Sequence, residues 1–319
     1  MPAFSAHFKL TPFIALSLVL SSPLLAADFT ILDGVTVTTM QRLDTDGDTG
    51  VIEAGSSINT VLRAVNATAN NNTVINRGHI VTSGVSGIGI RSQGADATIT
   101  NSGSIVTSGQ NALGIRAVAA DATITHSGSI ITSGKFGYGI QTLAANATIT
   151  NSGSIMTSGD TAHGIRSLGA NATITNSFSI VTSGDLAHGV YSGGADTTIT
   201  NSSLISATGT NSLAILGASN DITLNLLPGS QIIGRIDLGD DGGDNDTANV
   251  YYAGVSANLT FENTENINLF VAGIVSGDTV VTVDATGEST RGVALAGMTS
   301  SIMVSLLSAW LRRLSLNQH

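Results

Sequence analysis

The chain contains no cysteine, little charge and few aromatic side chains. The missing cysteines exclude disulfides and thiolate metal sites together. Such a chain must be held by its backbone ladder and its core. Charged residues are 11% of the 319 positions, and 12 basic against 22 acidic side chains leave a formal net charge of −10. That balance excludes the broad basic face of a general nucleic-acid binder. With only 4% aromatics, scarcity of charge alone would suggest disorder. A hydrophobic share of 42%, placed with a strict period, points instead to a packed structure.

The abundant residues are Gly, Ala, Ser, Thr and Asn, and they are written as a repeat. Near-copies of one sentence begin at Asn76, Asn101, His126, Asn151, Asn176 and Asn201, a constant 25-residue step with no insertion or deletion between them. A fixed period in this range identifies a solenoid, in which each unit is one turn of backbone stacked on the last.

One unit, 96–120, shows how the turn is built. Thr98-Ile99-Thr100 alternates as a strand does, and Asn101-Ser102-Gly103 supplies turn chemistry. Ser104-Ile105-Val106-Thr107 is a second strand, Ser108-Gly109 turns again, and Leu113-Gly114-Ile115-Arg116 is a third. Three strands and three corners within a single unit describe one coil of an all-β, right-handed parallel β-helix, the hand following the general rule for parallel crossovers. Three apolar files support it, represented by Ile99, Ile105 and Ile115 and their equivalents in the other units. Each buried aliphatic side chain contributes roughly 1.5–3 kcal/mol, too little for a lone coil to offset its ordering entropy. Two polar files mark corners. One runs Asn71, Asp96, Asp121, Asn146, Asn171, Asp196 and Asp221. The other runs Asn76, Asn101, His126, Asn151, Asn176 and Asn201, and its stacked amides are expected to hydrogen-bond along the file. The recurring glycines Gly84, Gly109, Gly134, Gly159, Gly184 and Gly209 are expected to supply positive φ at a corner.

This divides the chain into segments. Residues 1–26 read as a secretory signal peptide, with His7 and Lys9 before the apolar run Phe13 to Leu20 and small residues ending at Ala26-Ala27. Residues 27–70 read as an N-terminal cap with irregular coils, 71–227 as the regular repeats, and 228–287 as C-terminal coils. Residues 288–319 read as a short C-terminal α-helix, because Val293, Leu295, Met298, Ile302, Leu306 and Trp310 recur at intervals of two to four.

The ATITNSGSIVTSG rung followed by GIR resembles the repeats of bacterial autotransporter (type V secretion) passenger domains. The stretches Leu259 to Glu265 and Val275 to Gly287 resemble the junction of such a passenger with its translocator. The resemblance covers residues 28 to about 305. It implies a linker helix from Glu288 that enters an outer-membrane barrel, and it implies that barrel as a partner. No alternating barrel strands of ~10 residues follow the helix here, so the expectation is a truncated or frameshifted chain, preferred to a barrel carried on another polypeptide. The expected location is the cell surface, the outer membrane or the medium, or the periplasm if no barrel is supplied.

Several constellations have the makings of a site. Asp44, Asp46, Asp48 and Glu53 have the spacing of a calcium loop, but Thr49 stands where such a loop needs Gly, and a capping turn is the plainer account. Asp237, Asp240, Asp241, Asp244 and Asp246 surround one glycine-rich stretch and read as a solvated turn. Tyr138, His163 and His188 share a file that elsewhere holds Ile88, Leu113 and Leu213, so a tolerated corner position is preferred to a metal site, which would want three or four ligands. Arg91, Arg116 and Arg166, interrupted by Gln141, form a stripe that could grip an acidic glycan or merely face solvent. The pairs Thr98/Thr100 through Thr198/Thr200 form a flat two-file array of the kind ice-binding solenoids present, and β-branched filling of a strand accounts for it more simply. No GxSxG or HExxH motif occurs, and the rungs carry no inserted loops for a catalytic cluster. The expectation is a non-enzymatic structural or adhesive passenger-like protein with no catalytic residue, no cofactor and no metal, capable of self-association. The alternatives are a glycan-binding or glycan-active secreted β-helix protein, and a truncated remnant of a full-length autotransporter.

Overall fold

The computed structural model describes residues 28–239, 245–252, 257–264, 266–271, 280–286, 292–296 and 303–306. The segment expected to be a signal peptide lies outside them. The described residues form an all-β parallel solenoid with three sheets, of twelve, nine and twelve strands, and every pairing is parallel. In each regular turn the chain lays one strand on each sheet. Thr98–Asn101 joins the first sheet, Ser104–Thr107 the second and Ile115–Ala117 the third. The nine strands of the second sheet set the number of complete three-sided turns at about nine.

Register is what makes the files. Ile99 pairs with Val74 and Ile124, Ile105 with Ile80 and Ile130, and Ile115 with Ile90 and Ile140. All nine side chains are buried. Because a strand alternates faces, a slip of one residue would turn the whole file outward. A fourth buried file, Thr82, Thr107, Thr132, Thr157 and Thr182, lies inside as well. From Thr107 onward each hydroxyl donates to a carbonyl at the next corner: Thr107 to Ala112 (3.0 Å), Thr132 to Gly137, Thr157 to Ala162 and Thr182 to Ala187 (2.7 Å). These bonds tie the second strand to the corner that follows it.

The corners correct one expectation. Gly84, Gly109, Gly134, Gly159, Gly184 and Gly209 do not have positive φ. They are glycine because rungs approach too closely for a side chain. A Cβ on Gly109 would lie 2.0 Å from the Gly84 carbonyl oxygen, and one on Gly134 would lie 1.9 Å from that of Gly109. The left-handed conformation falls two residues later, on Ser86, Asn111, Phe136, Thr161, Leu186 and Asn211, and also on the file from Asn71 to Asp221. There the backbone N–H turns toward the following rung: Asn111 donates to Lys135 and Asp96 to Ala120, whereas strand residues such as Thr98 donate back to the rung before. The short polar side chains of Asn and Asp tolerate this conformation.

Residues 28–70 form two coils that stack on the regular ones. Phe29–Ile31, Thr36–Val37 and Gln41–Leu43 form one turn, and Thr49–Ile52, Ser57–Thr60 and Val65–Ala67 form the next. They stack in the same three sheets, with rung steps shorter than those of the regular repeats: Phe29 lies on Gly50, and Thr49 on Thr73. Among the described residues beyond Arg235–Asp237 the second sheet gains no further strand, and strands alternate between the first and third sheets. Among the described residues no helix occurs. Within the span expected to be helical, Gly292–Ala296 and Met303–Leu306 are strands that pair with Asn266–Val271 and Val280–Thr286. The reason is visible in Gly292-Val293-Ala294-Leu295-Ala296, where the larger residues recur at period two, the strand period. The remaining residues of that span lie outside the described ones.

Candidate functional site

The polar files include one internal and one on the outer surface. The internal one is the amide ladder. Asn76 donates through Nδ2 to Asn101 Oδ1 (2.7 Å), Asn151 to Asn176 (2.7 Å) and Asn176 to Asn201 (2.7 Å). His126 interrupts the file: Asn101 Nδ2 lies 2.9 Å from its Nδ1, and its Nε2 lies 3.2 Å from the Ser154 carbonyl oxygen. With Nδ1 accepting, Nε2 carries the proton and donates. Burial holds the His126 pKa below its ordinary value. The ladder ends against apolar neighbours, Ile52 on one side and Leu226 on the other. Accordingly Asn76 Oδ1 is left without a partner, and Asn201 Nδ2 turns to the Ser203 carbonyl (2.7 Å). This file is an element of stability.

The outer feature lies along the third sheet. In the third sheet the residue after each rung's inward-facing Val or Ile turns away from the core, and the pairing puts Asn66, Arg91, Arg116, Gln141, Arg166, Tyr191 and Leu216 in one file, in which Asn66 and Gln141 are covered by their neighbours. The file three residues earlier in each turn holds Ile88, Leu113, Tyr138, His163, His188 and Leu213. The two interlock. The His163 ring stacks on Tyr138 (centroids 5.2 Å apart), on His188 (4.9 Å) and on Tyr191 (5.2 Å). The Arg166 guanidinium lies over Tyr138 (5.1 Å) and Tyr191 (5.5 Å).

The backbone N–H of His188 donates to His163 Nδ1 (3.0 Å), and that of Leu213 donates to His188 Nδ1 (3.0 Å). Both rings are therefore neutral with the proton on Nε2. Burial is the main cause that pushes the His163 pKa down to about 3 and the His188 pKa to about 4, with His188 and Arg166 adding to the effect at His163. Burial likewise raises Tyr138. With both Nδ1 atoms engaged, the pair offers a metal at most two Nε2 atoms, and among the described residues no group of three His, Asp or Glu is placed to hold one.

Arg91 and Arg116 form the other end of the outer file, and Arg63, from an irregular coil, adds its charge to theirs. Among the described residues Arg42 pairs with Asp44, Arg77 with Glu53 and Arg235 with Glu262. Among the same residues Arg63, Arg91, Arg116 and Arg166 have no carboxylate partner, and the Nε atoms of the first three are buried with no hydrogen bond. Burial first, and then neighbouring guanidiniums, lower the pKa of Arg91 and Arg116. The sequence repeat exposed Arg91, Arg116 and Arg166. It did not reveal Arg63, which precedes the regular units.

The remaining candidates are occupied internally. Asp44 pairs with Arg42 (2.7 Å) and accepts from Thr68 (2.6 Å), Asp46 accepts from the Asn70 N–H (2.9 Å), and Asp48 accepts from the Thr45 N–H (3.0 Å). These bonds make a turn tied to the next rung, with Glu53 held by Arg77. Of the acidic stretch, Asp237 accepts from the Gly239 N–H and Asn263, and buried Asp246 accepts from the Ile222 N–H. Asp240, Asp241 and Asp244 lie outside the described residues. The Thr98/Thr100 array stands in register on the outer face of the first sheet, and its first file runs unbroken from Thr49 to Thr247. No protein-family model matches the chain, and neither a curated protein nor a solved structure shows significant similarity to it.

Proposed function

We propose that this chain is a non-enzymatic, autotransporter passenger-like β-solenoid, exported by its N-terminal segment, that acts at the cell surface through structural or adhesive contacts. In this reading the solenoid is right-handed, and an outer-membrane translocator barrel is its partner. The observation that carries the reading is the unbroken repeat step from 71 to 227. It presents the same outward side chains at level after level, so that many weak contacts add along one face. β-Helix enzymes need charged clusters on loops between rungs, and these rungs have no room in sequence for such loops.

The test is display of the chain fused to a translocator barrel on a host that does not aggregate. Increased cell–cell aggregation or adherence, with a mature N-terminus near Ala27, supports the proposal. Unchanged adherence of cells that display the folded chain, or release of products from a glycan panel, would refute it.

A further inference from the structure

We infer that the outer face of the third sheet, at Arg63, Arg91, Arg116 and Arg166, is a binding site for an extended acidic polysaccharide laid along the solenoid axis. The inference deepens the adhesive reading above by naming a ligand class, and it rests on that reading only for its biological setting.

The argument begins with charge. The chain has 22 acidic and 12 basic residues, so carboxylates are available to pair every arginine. Three arginines among the described residues do have such partners. The four on this face have none there, although they are close enough in the stack for Arg63 to act on both Arg91 and Arg116, and Arg166 on Arg116. Like charges placed together and half withdrawn from water are costly unless a counter-charge is supplied. A guanidinium is also the side chain best shaped for bidentate bonds to carboxylate or sulfate. The buried Nε atoms of Arg63, Arg91 and Arg116 lack any acceptor among the described residues, which adds to the cost of holding these guanidiniums without a counter-charge.

Spacing selects the ligand's form. Arg91 and Arg116 sit on neighbouring rungs, ~4.8 Å apart, and Arg166 is two rungs further at ~10 Å. Gln141, an uncharged donor, fills the gap in the same file. Anionic groups that recur along an extended polymer match this line, whereas a single compact anion would meet only one or two guanidiniums. Beyond Arg166 the stripe continues with Tyr191 and with the imidazoles of His163 and His188, whose Nδ1 atoms are engaged by backbone and whose Nε2–H groups have no partner among the described residues. These are donors suited to sugar hydroxyls.

The same rings argue against nucleic acid. Single-stranded binders offer open aromatic faces on which bases stack, and here the ring faces are covered by one another and by Arg166. Four cations in a chain of net charge −10 also fall short of the basic surface such binding uses.

The test is titration calorimetry on the full chain with five polymers, among them heparin for sulfate, polygalacturonate for carboxylate, dextran as the neutral sugar control, and single-stranded oligothymidylate. Polyglutamate serves as the acidic peptide control. The variants are Arg91→Gln/Arg116→Gln and Gln141→Arg. Glutamine already occupies this file at 141, so the double variant keeps the fold, which circular dichroism checks. The expected result is binding of heparin or polygalacturonate but not dextran, weakened at least tenfold in the double variant. The dependence of log Kd on log salt should become shallower there, as ionic contacts are lost. Gln141→Arg should tighten binding severalfold by completing the line.

Whichever of heparin and polygalacturonate binds identifies sulfate or carboxylate as the group recognised. No binding by the wild-type chain, equal binding by the double variant, or preference for oligothymidylate or polyglutamate overturns the inference. The display assay is read separately on the same double variant: adherence that persists without polysaccharide binding upholds the adhesive reading while this site fails.

Discussion

Asparagine placed at two corner positions should have opposite effects, and this tests why the corners are built as they are. At Gly134 the constraint is space. A Cβ there would lie 1.9 Å from the Gly109 carbonyl oxygen and 2.5 Å from its carbon. Ordinary contact distances are restored only if the two rungs part locally by roughly 1 Å or more. The bonds that set their separation at this corner are Ser133 N–H to Thr107 O (3.1 Å) and Asn111 N–H to Lys135 O (2.8 Å), and both would pass beyond hydrogen-bonding distance. With ~1 kcal/mol net for each bond and a further ~1 kcal/mol for loosened core packing, Gly134→Asn should cost about 3 kcal/mol.

At Thr161 the constraint is conformation, because a β-branched residue is held at φ 54°. Asn already occupies the equivalent positions 111 and 211. Thr161→Asn relieves left-handed strain of ~1–2 kcal/mol and forfeits little burial, for a net gain of about 1 kcal/mol. In thermal unfolding followed by circular dichroism, the first variant should lower Tm by ~6–12 °C and the second should raise it by ~2–4 °C. If Gly134→Asn were tolerated while Gly134→Ala was not, the glycine file would be serving positive φ after all, and the close-approach argument would be refuted.

Other outcomes follow from the polar files. The neutral, buried His163 and His188 have pKa values depressed to about 3 and about 4. The unfolded chain, with ordinary histidines, therefore binds more protons between those values and ~6.5. Stability should fall as pH drops from ~6.5 to ~4, with a slope of up to ~1.4 kcal/mol per pH unit for each ring, and His188→Leu should flatten that slope in denaturant titrations. In the amide ladder, Asn176→Leu orphans Asn151 Nδ2 and leaves Asn201 Oδ1 with only the long bond from the Ser203 N–H (3.4 Å), and it should cost about 2 kcal/mol. Asn76→Leu merely exchanges one unpartnered oxygen, Asn76 Oδ1, for another, Asn101 Oδ1, beside Ile52. Its midpoint in urea should move little, and a large shift would contradict the ladder's direction.

The files were legible in the sequence because translation by one rung maps each residue onto its equivalent. The buried positions of Ile99, Ile105 and Ile115 and the stacking of Asn101 follow from the constant step alone. The corners were less legible. A recurring glycine signals either positive φ or close approach, and period does not separate them. The left-handed positions were hidden because Ser86, Phe136, Thr161 and Leu186 share no chemistry, only a backbone direction. The outer site was half visible. Arg91, Arg116 and Arg166 fall on the repeat, but Arg63 lies in a turn of different length. The contact of Tyr191 with His163 joins two files that a linear reading keeps apart. Toward the C-terminus the sequence pattern mixes intervals of two and four, and the strand period prevails at Gly292–Ala296 because a parallel partner, Asn266–Val271, is already in place.

The absence of cysteine gives the most direct measurement of the rung register. Thr125 and Thr150 are paired neighbours on the outer face of the first sheet, and parallel strands ~4.8 Å apart suit a disulfide. The variant Thr125→Cys/Thr150→Cys should oxidise rapidly to a single intramolecular disulfide in the folded chain. In Thr125→Cys/Ile149→Cys, Ile149 faces the core, and this pair should remain reduced. Equal oxidation of both pairs, or none in the first, would contradict in-register stacking of the turns.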